Sequence, residues 1–144
     1  MNLVLQQDDK GCGIACCAMV CGHTYVEAKS KVVPHCWSGS FSHFDAFEYL
    51  NLHGFSYQQW YRHARFIIPE TGSIFPERVS WPILSPFAQA HILLTRGAQM
   101  GHWVAMNDAG EIFDPIRGRG KQISDYEVLQ IIGVYAAKGA SDAR

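Results

Sequence analysis

The chain has 144 residues, 48% of them hydrophobic and only 17% charged, with a formal net charge of −1. That length fits one domain with a sizeable core. The near-neutral charge gives no field to draw it to nucleic acid or an anionic membrane, and no apolar run approaches the roughly 18 residues that a membrane span needs. Residues Met1 to Gln6 lack the basic start and long apolar stretch of a secretory signal, which points to a cytoplasmic protein.

The first half of the chain reads as helical. Residues 12 to 21 are apolar nearly all round, which predicts a central, buried helix ended by Gly22. Thr24-Tyr25-Val26-Glu27 is a capping box for a second helix running to about Val32, with Pro34 beyond it. A loop is expected over 34–41. Ser42-His43-Phe44-Asp45 then caps a third helix with Phe44, Phe47, Tyr49 and Leu50 on its apolar face, and Gly54 lies just past its end.

The second half turns to strands. Residues 55–63 are aromatic and predict a strand. Residues 64–89 hold four prolines and predict a long loop or insertion, with short strands at Phe66-Ile67-Ile68 and Trp81-Pro82-Ile83-Leu84. Residues 90–95, 102–106 and 111–113 predict three strands, the last two joined by a turn at 107–110. Ser124-Asp125-Tyr126-Glu127 suggests a capped short helix, residues 131–136 a last strand, and residues from about 138 a frayed tail. Helices first and an antiparallel sheet second make an α+β domain over 1–144.

The cysteines raise the question of chemistry. Cys12, Cys16, Cys17, Cys21 and Cys36 are an odd number, and without a secretory signal a disulfide framework is not expected. The absence of any Cys-x-x-Cys pair argues against zinc, so no metal and no cofactor are expected, and Cys16, Cys17 and Cys21 read as packing residues. Cys12 differs, because it is flanked by Gly11 and Gly13 at the predicted start of a helix. Helix N-termini carry free N–H groups and partial positive charge, which favour a thiolate.

A thiolate hydrolase also needs a base, an orienter for the base and oxyanion donors. His102 opens a strand, and Asp114 ends the strand expected to pair with it, so the carboxylate can reach the imidazole across the pair. Gln6, six residues before Cys12, is the candidate oxyanion donor, with Gln7 as its rival. His91 is a reserve candidate for the base. Trp103 and Gly101, on either side of His102, are candidate substrate contacts, and Arg117 and Arg119 read as a solvated loop or as a site for an acidic substrate group.

Gln6 through Val20, the Gly101-His102-Trp103-Val104 block and Asp114-Pro115 together resemble the double-glycine-leader, bacteriocin-processing cysteine peptidases, a papain-like family. Members carry a glutamine six residues before a cysteine at a helix start, a later histidine followed by aromatic and aliphatic residues, and a downstream Asp-Pro. The resemblance covers roughly residues 3 to 136. It implies a papain-like fold, with Cys12 as nucleophile, His102 as base and acid, Asp114 as orienter and Gln6 as oxyanion donor. It further implies a peptide or protein substrate with glycines at the cleavage site. Three features depart from the family: Gly11 stands where many members have Asp, no transporter segment accompanies the domain, and the proline-rich stretch 64–89 is longer than expected. The same triad would also serve an isopeptidase, a deamidase or a transglutaminase. A non-catalytic binding protein on the same fold is the alternative from another class.

Overall fold

The first helix has no polar face, so it must be enclosed on every side. The computed structural model, which describes residues 1–32, 41–62, 67–68, 73–74, 81–97 and 101–136, places it accordingly. Helix α1 (Cys12–Cys21) buries every residue from Gly13 to Val20. It packs on the sheet through strands β4 (Ala90–Arg96) and β5 (Gly101–Asn107), and is flanked by α2 (Tyr25–Val32) and α3 (His43–Leu52). Gly22, at φ 74°, takes the left-handed conformation that ends α1. The expected caps are present: Thr24 Oγ1 accepts from the Glu27 N–H, and Asp45 accepts from the Ser42 N–H at 2.7 Å. Phe44, expected on the apolar face of α3, is instead 69% exposed, because it falls on the side of α3 away from the core.

The main sheet has five strands in the order β1-β7-β4-β5-β6, all neighbours antiparallel, with β1 (Ser56–Tyr61), β6 (Ile112–Phe113) and β7 (Val128–Tyr135) completing it. The final strand therefore lies between β1 and β4. Such long-range pairing is not legible in local pattern. One face of the sheet meets the helices through Ile92, Trp103, Ala105, Phe113, Ile132 and Val134. Leu93, Val104, Met106, Ile112, Val128 and Ile131 form a second cluster on the other face.

Three expectations need correction. Residues 81–84 are not a strand. Trp81 and Pro82 form a bend, and the Trp81 indole donates to the Val128 carbonyl at 2.8 Å. Pro82 removes a backbone donor that a strand ladder would use. The helix expected at Ser124 is a single 3-10 turn, Ile123–Asp125, capped from Gln122 through Asp125. Strand β7 follows it directly, starting at Val128 rather than at 131. Within the predicted insertion, β2 (Ile67–Ile68) pairs with β3 (Ser73–Ile74). The loop at 34–40, Phe66, the remainder of 64–80, Cys36 and the tail beyond 136 lie outside the described residues.

Candidate active site

Cys12 is the first residue of α1. The first helical hydrogen bond runs from the Ala15 N–H to the Gly11 carbonyl, so the N–H groups of Cys12, Gly13 and Ile14 have no partner within the helix. The flanking glycines are required by packing. A Cβ at Gly11 would lie 1.9 Å from the Tyr25 hydroxyl oxygen, and one at Gly13 would lie 2.0 Å from the Phe41 ring. Phe41 in turn meets Trp103 edge-on at 5.6 Å. The helix start is thus pressed against an aromatic wall with no room for a side chain beside Cys12.

His102 and Asp114 meet by a diagonal across two strands. In β5 and β6, Ala105 faces Phe113 and Met106 faces Ile112. Extending that register one residue past the end of β6 puts Asp114 level with Val104, two residues from His102 and within side-chain reach. The His102 Nε2 to Asp114 Oδ1 distance is 2.8 Å, and Asp114 is fully buried. Asp114 leaves the sheet in a tight turn, exchanging two backbone hydrogen bonds with Gly118 (φ 80°). Its Oδ1 also accepts from the N–H groups of Ile116 (2.9 Å) and Arg117 (3.1 Å), and its Oδ2 accepts from the Tyr126 hydroxyl (2.7 Å).

The electrostatics follow from this arrangement. Burial pushes the Asp114 carboxyl up, but the hydrogen bonds from His102, Ile116, Tyr126 and Arg117 outweigh it and hold the group well below the usual carboxylate range. His102 is pushed up to about 9, first by its hydrogen bond with Asp114 and then by the one with Cys12, against the opposing effect of burial. Burial alone would raise the Cys12 thiol. Hydrogen bonding from His102, and from the backbone N–H groups of Trp103 and Gly13, brings it below the ordinary value. These shifts favour a thiolate–imidazolium pair near neutral pH. With Nε2 bound to Asp114, Nδ1 is the ring nitrogen left for the thiol.

Both groups line an open cleft of about 680 Å³, whose walls include Gln6, Phe41, Gly101, Trp103 and Tyr126. Gln6 is brought there by its backbone, whose N–H donates to the Pro115 carbonyl at 3.1 Å. Its side-chain amide donates to the carbonyls of Asp8 (2.9 Å) and Asp9 (3.2 Å), and its Oε1 is buried without a partner among the described residues. Gln7 does not line the cleft. The exposed Gly101 sits on the rim, whereas Trp103, only 4% exposed, offers the cleft a wall and a backbone donor rather than an open surface.

The remaining candidates separate. His91 is buried away from the cleft, accepts from the Ser85 N–H through Nε2 (3.2 Å), and so falls out as a reserve base. Cys16 and Cys17 are fully buried, and burial raises the Cys16 thiol well above its ordinary value. Cys21, expected in the core, is only partly buried, and burial pushes its thiol up to about 12. Arg119 pairs with Glu111 and lies over the Phe113 ring, while Arg117 lines the cleft. Among the described residues there is no group of three or more His, Cys, Asp or Glu placed to hold a metal ion. In the same residues no helix is long and apolar enough to cross a membrane. Tyr126 and Phe41 went unmarked by sequence reasoning, and no spacing signal ties either to Cys12.

No protein-family model matches the sequence, and no curated protein matches it. Solved structures do. The structure is similar to a double glycine motif protease from an AMS/PCAT transporter, solved with its leader peptide, at a TM-score of 0.58 and 13% identity, covering 92% of this chain and 89% of that one. It is similar also to the peptidase domain of Streptococcus ComA, a bi-functional ABC transporter involved in quorum sensing, at a TM-score of 0.60 and 14% identity, covering 92% and 96%. At these identities the likeness establishes architecture: the chain has the α+β fold of these peptidase domains.

Proposed function

We propose that this chain is a cysteine peptidase that cleaves a peptide bond through Cys12, His102 and Asp114. One observation carries the reading: a thiol at a helix N-terminus and an imidazole bound to a buried carboxylate share one open cleft. The Cys12 thiolate attacks the substrate carbonyl, forming the S–C bond. The oxyanion is met by backbone N–H at the start of α1 and by the Gln6 amide. At rest that amide is bound to the Asp8 and Asp9 carbonyls, so it serves the oxyanion by giving up one of them. Imidazolium His102 then protonates the leaving amine. The neutral ring takes a proton from water, which attacks the thioester and releases the acid and the thiolate.

The substrate class is a peptide with small residues, glycines above all, at the cleavage site. The support is the family resemblance of the Cys12, His102 and Asp114 blocks, together with the leader peptide bound to one structural neighbour. The test is incubation with peptides carrying internal Gly-Gly, with the products read by mass spectrometry. Cleavage after glycine that vanishes in Cys12→Ala is expected. Amide hydrolysis of glutamine or transfer to an added amine, with the chain left uncut, would overturn the peptidase reading.

A further inference from the structure

The two oxygens of Asp114 have different surroundings. Oδ1 serves His102 and the backbone N–H groups of Ile116 and Arg117. Oδ2 faces Tyr126, its one hydrogen-bond partner among the described residues, at 2.7 Å. Tyr126 lies 12 residues beyond Asp114, past the loop at 116–122. It closes the 3-10 turn, its N–H bonded to the Ile123 carbonyl at 3.2 Å, and stands two residues before β7. The register of β4 against β7 shifts between Leu94 and Thr95, so that Leu94 faces Gln130 but Thr95 faces Val128. Such a bulge re-aims the chain beside it, and here Tyr126 lines the cleft with His102. Burial, and then Asp114, push the phenol above its ordinary value, so it remains a donor at neutral pH.

We infer that Tyr126 is a positioning residue: its hydroxyl fixes the plane of the Asp114 carboxylate from the side away from His102 and shields that carboxylate from cleft water. This rests on the reading of Cys12, His102 and Asp114 as a peptidase triad. Tyr126 touches no reacting atom. It acts because a buried carboxylate oxygen that loses its donor must find another, by turning or by admitting water. Either response loosens the partner that orients His102.

The experiment is Tyr126→Phe, which keeps the ring and removes the hydroxyl. Two readouts are taken on the intact protein: the alkylation rate of Cys12 by iodoacetamide at pH 7, and the proton resonance of the His102–Asp114 hydrogen bond by NMR. Alkylation slower by about tenfold is expected, together with faster exchange of that proton with solvent. A variant that melts lower but keeps both readouts would make Tyr126 a packing residue and overturn the inference. Should Tyr126→Phe not fold, 3-fluorotyrosine at position 126 keeps the hydroxyl as a stronger donor and must move the same resonance; an unmoved resonance overturns the inference. Wild-type protein whose Cys12 shows no selective alkylation would instead overturn the peptidase reading itself.

Discussion

Replacing Asp114 with Asn removes one charge and almost no volume. The new side-chain oxygen can still accept from the Ile116 and Arg117 N–H groups, so the turn after β6 should persist. His102 is the group that changes. It is held at about 9 against an ordinary 6.5, with the Asp114 hydrogen bond as the largest cause and Cys12 second. A hydrogen bond to a charged group contributes about 1.5–3 kcal/mol, so Asp114, the largest contributor, is worth on the order of 2 kcal/mol of the preference for imidazolium. Without it, only Cys12 is left to hold the ring above its ordinary value against burial, and the preference for imidazolium weakens. The equilibrium constant for the thiolate–imidazolium pair should fall about thirtyfold, the factor that 2 kcal/mol represents. The assay is iodoacetamide alkylation of Cys12 followed by mass spectrometry from pH 5 to 10, alongside an NMR titration of His102. In Asp114→Asn the alkylation rate at pH 7 should drop by about that factor, and the His102 midpoint should fall toward its ordinary value. An unchanged pH profile, with Cys12 reacting within about twofold of wild type, would refute the electrostatic role given to Asp114.

Other consequences are equally direct. Gln6→Ala should lower turnover of a cleaved peptide by roughly 10²-fold or more while leaving Cys12 alkylation nearly unchanged, because an oxyanion donor acts after thiolate formation; parallel losses in both assays would contradict this. Gly13→Ala should destabilise by about 1–3 kcal/mol in thermal melts even though alanine favours helix, since its Cβ would enter the Phe41 ring. Gly13→Ala combined with Phe41→Ala should cost less than the two changes summed. Asp114 is depressed in the folded state, so its stabilisation is complete above the unfolded value of about 3.8 and is lost as pH falls toward the folded one. Acid unfolding of Asp114→Asn, followed by circular dichroism, should therefore lack part of the wild-type loss below about pH 4.

Much of the frame was legible from pattern. The all-round apolar run of α1, the capping boxes at Thr24 and Ser42 and the strand runs at 90–95 and 102–106 are local signals, and each produced its element, the two strands one or two residues longer than expected. Cys12, His102 and Asp114 were legible as residue types in a suggestive order. Where pattern failed, long-range or backbone effects had intervened. Pro82 cancelled a strand at 81–84. The capping signal at Ser124 belonged to one 3-10 turn, because the sheet claims the chain again at Val128. Phe44 faced solvent because a single helix turn does not reveal which side the sheet lies on.

By itself, the sequence determined the α+β order of elements and the presence of a thiol, an imidazole and a carboxylate in chain positions that a hydrolase can use. Periodicity, caps and residue chemistry are properties of neighbours along the chain. Only the tertiary structure decided that Asp114 is fully buried beside His102, that Gln6 is pinned by Pro115 with its amide turned to Asp8 and Asp9, and that Tyr126 holds the far oxygen of Asp114. Those facts depend on strand register, on a bulge between β4 and β7, and on a final strand inserted between β1 and β4. Each is settled by packing between segments tens of residues apart, which no local stretch encodes.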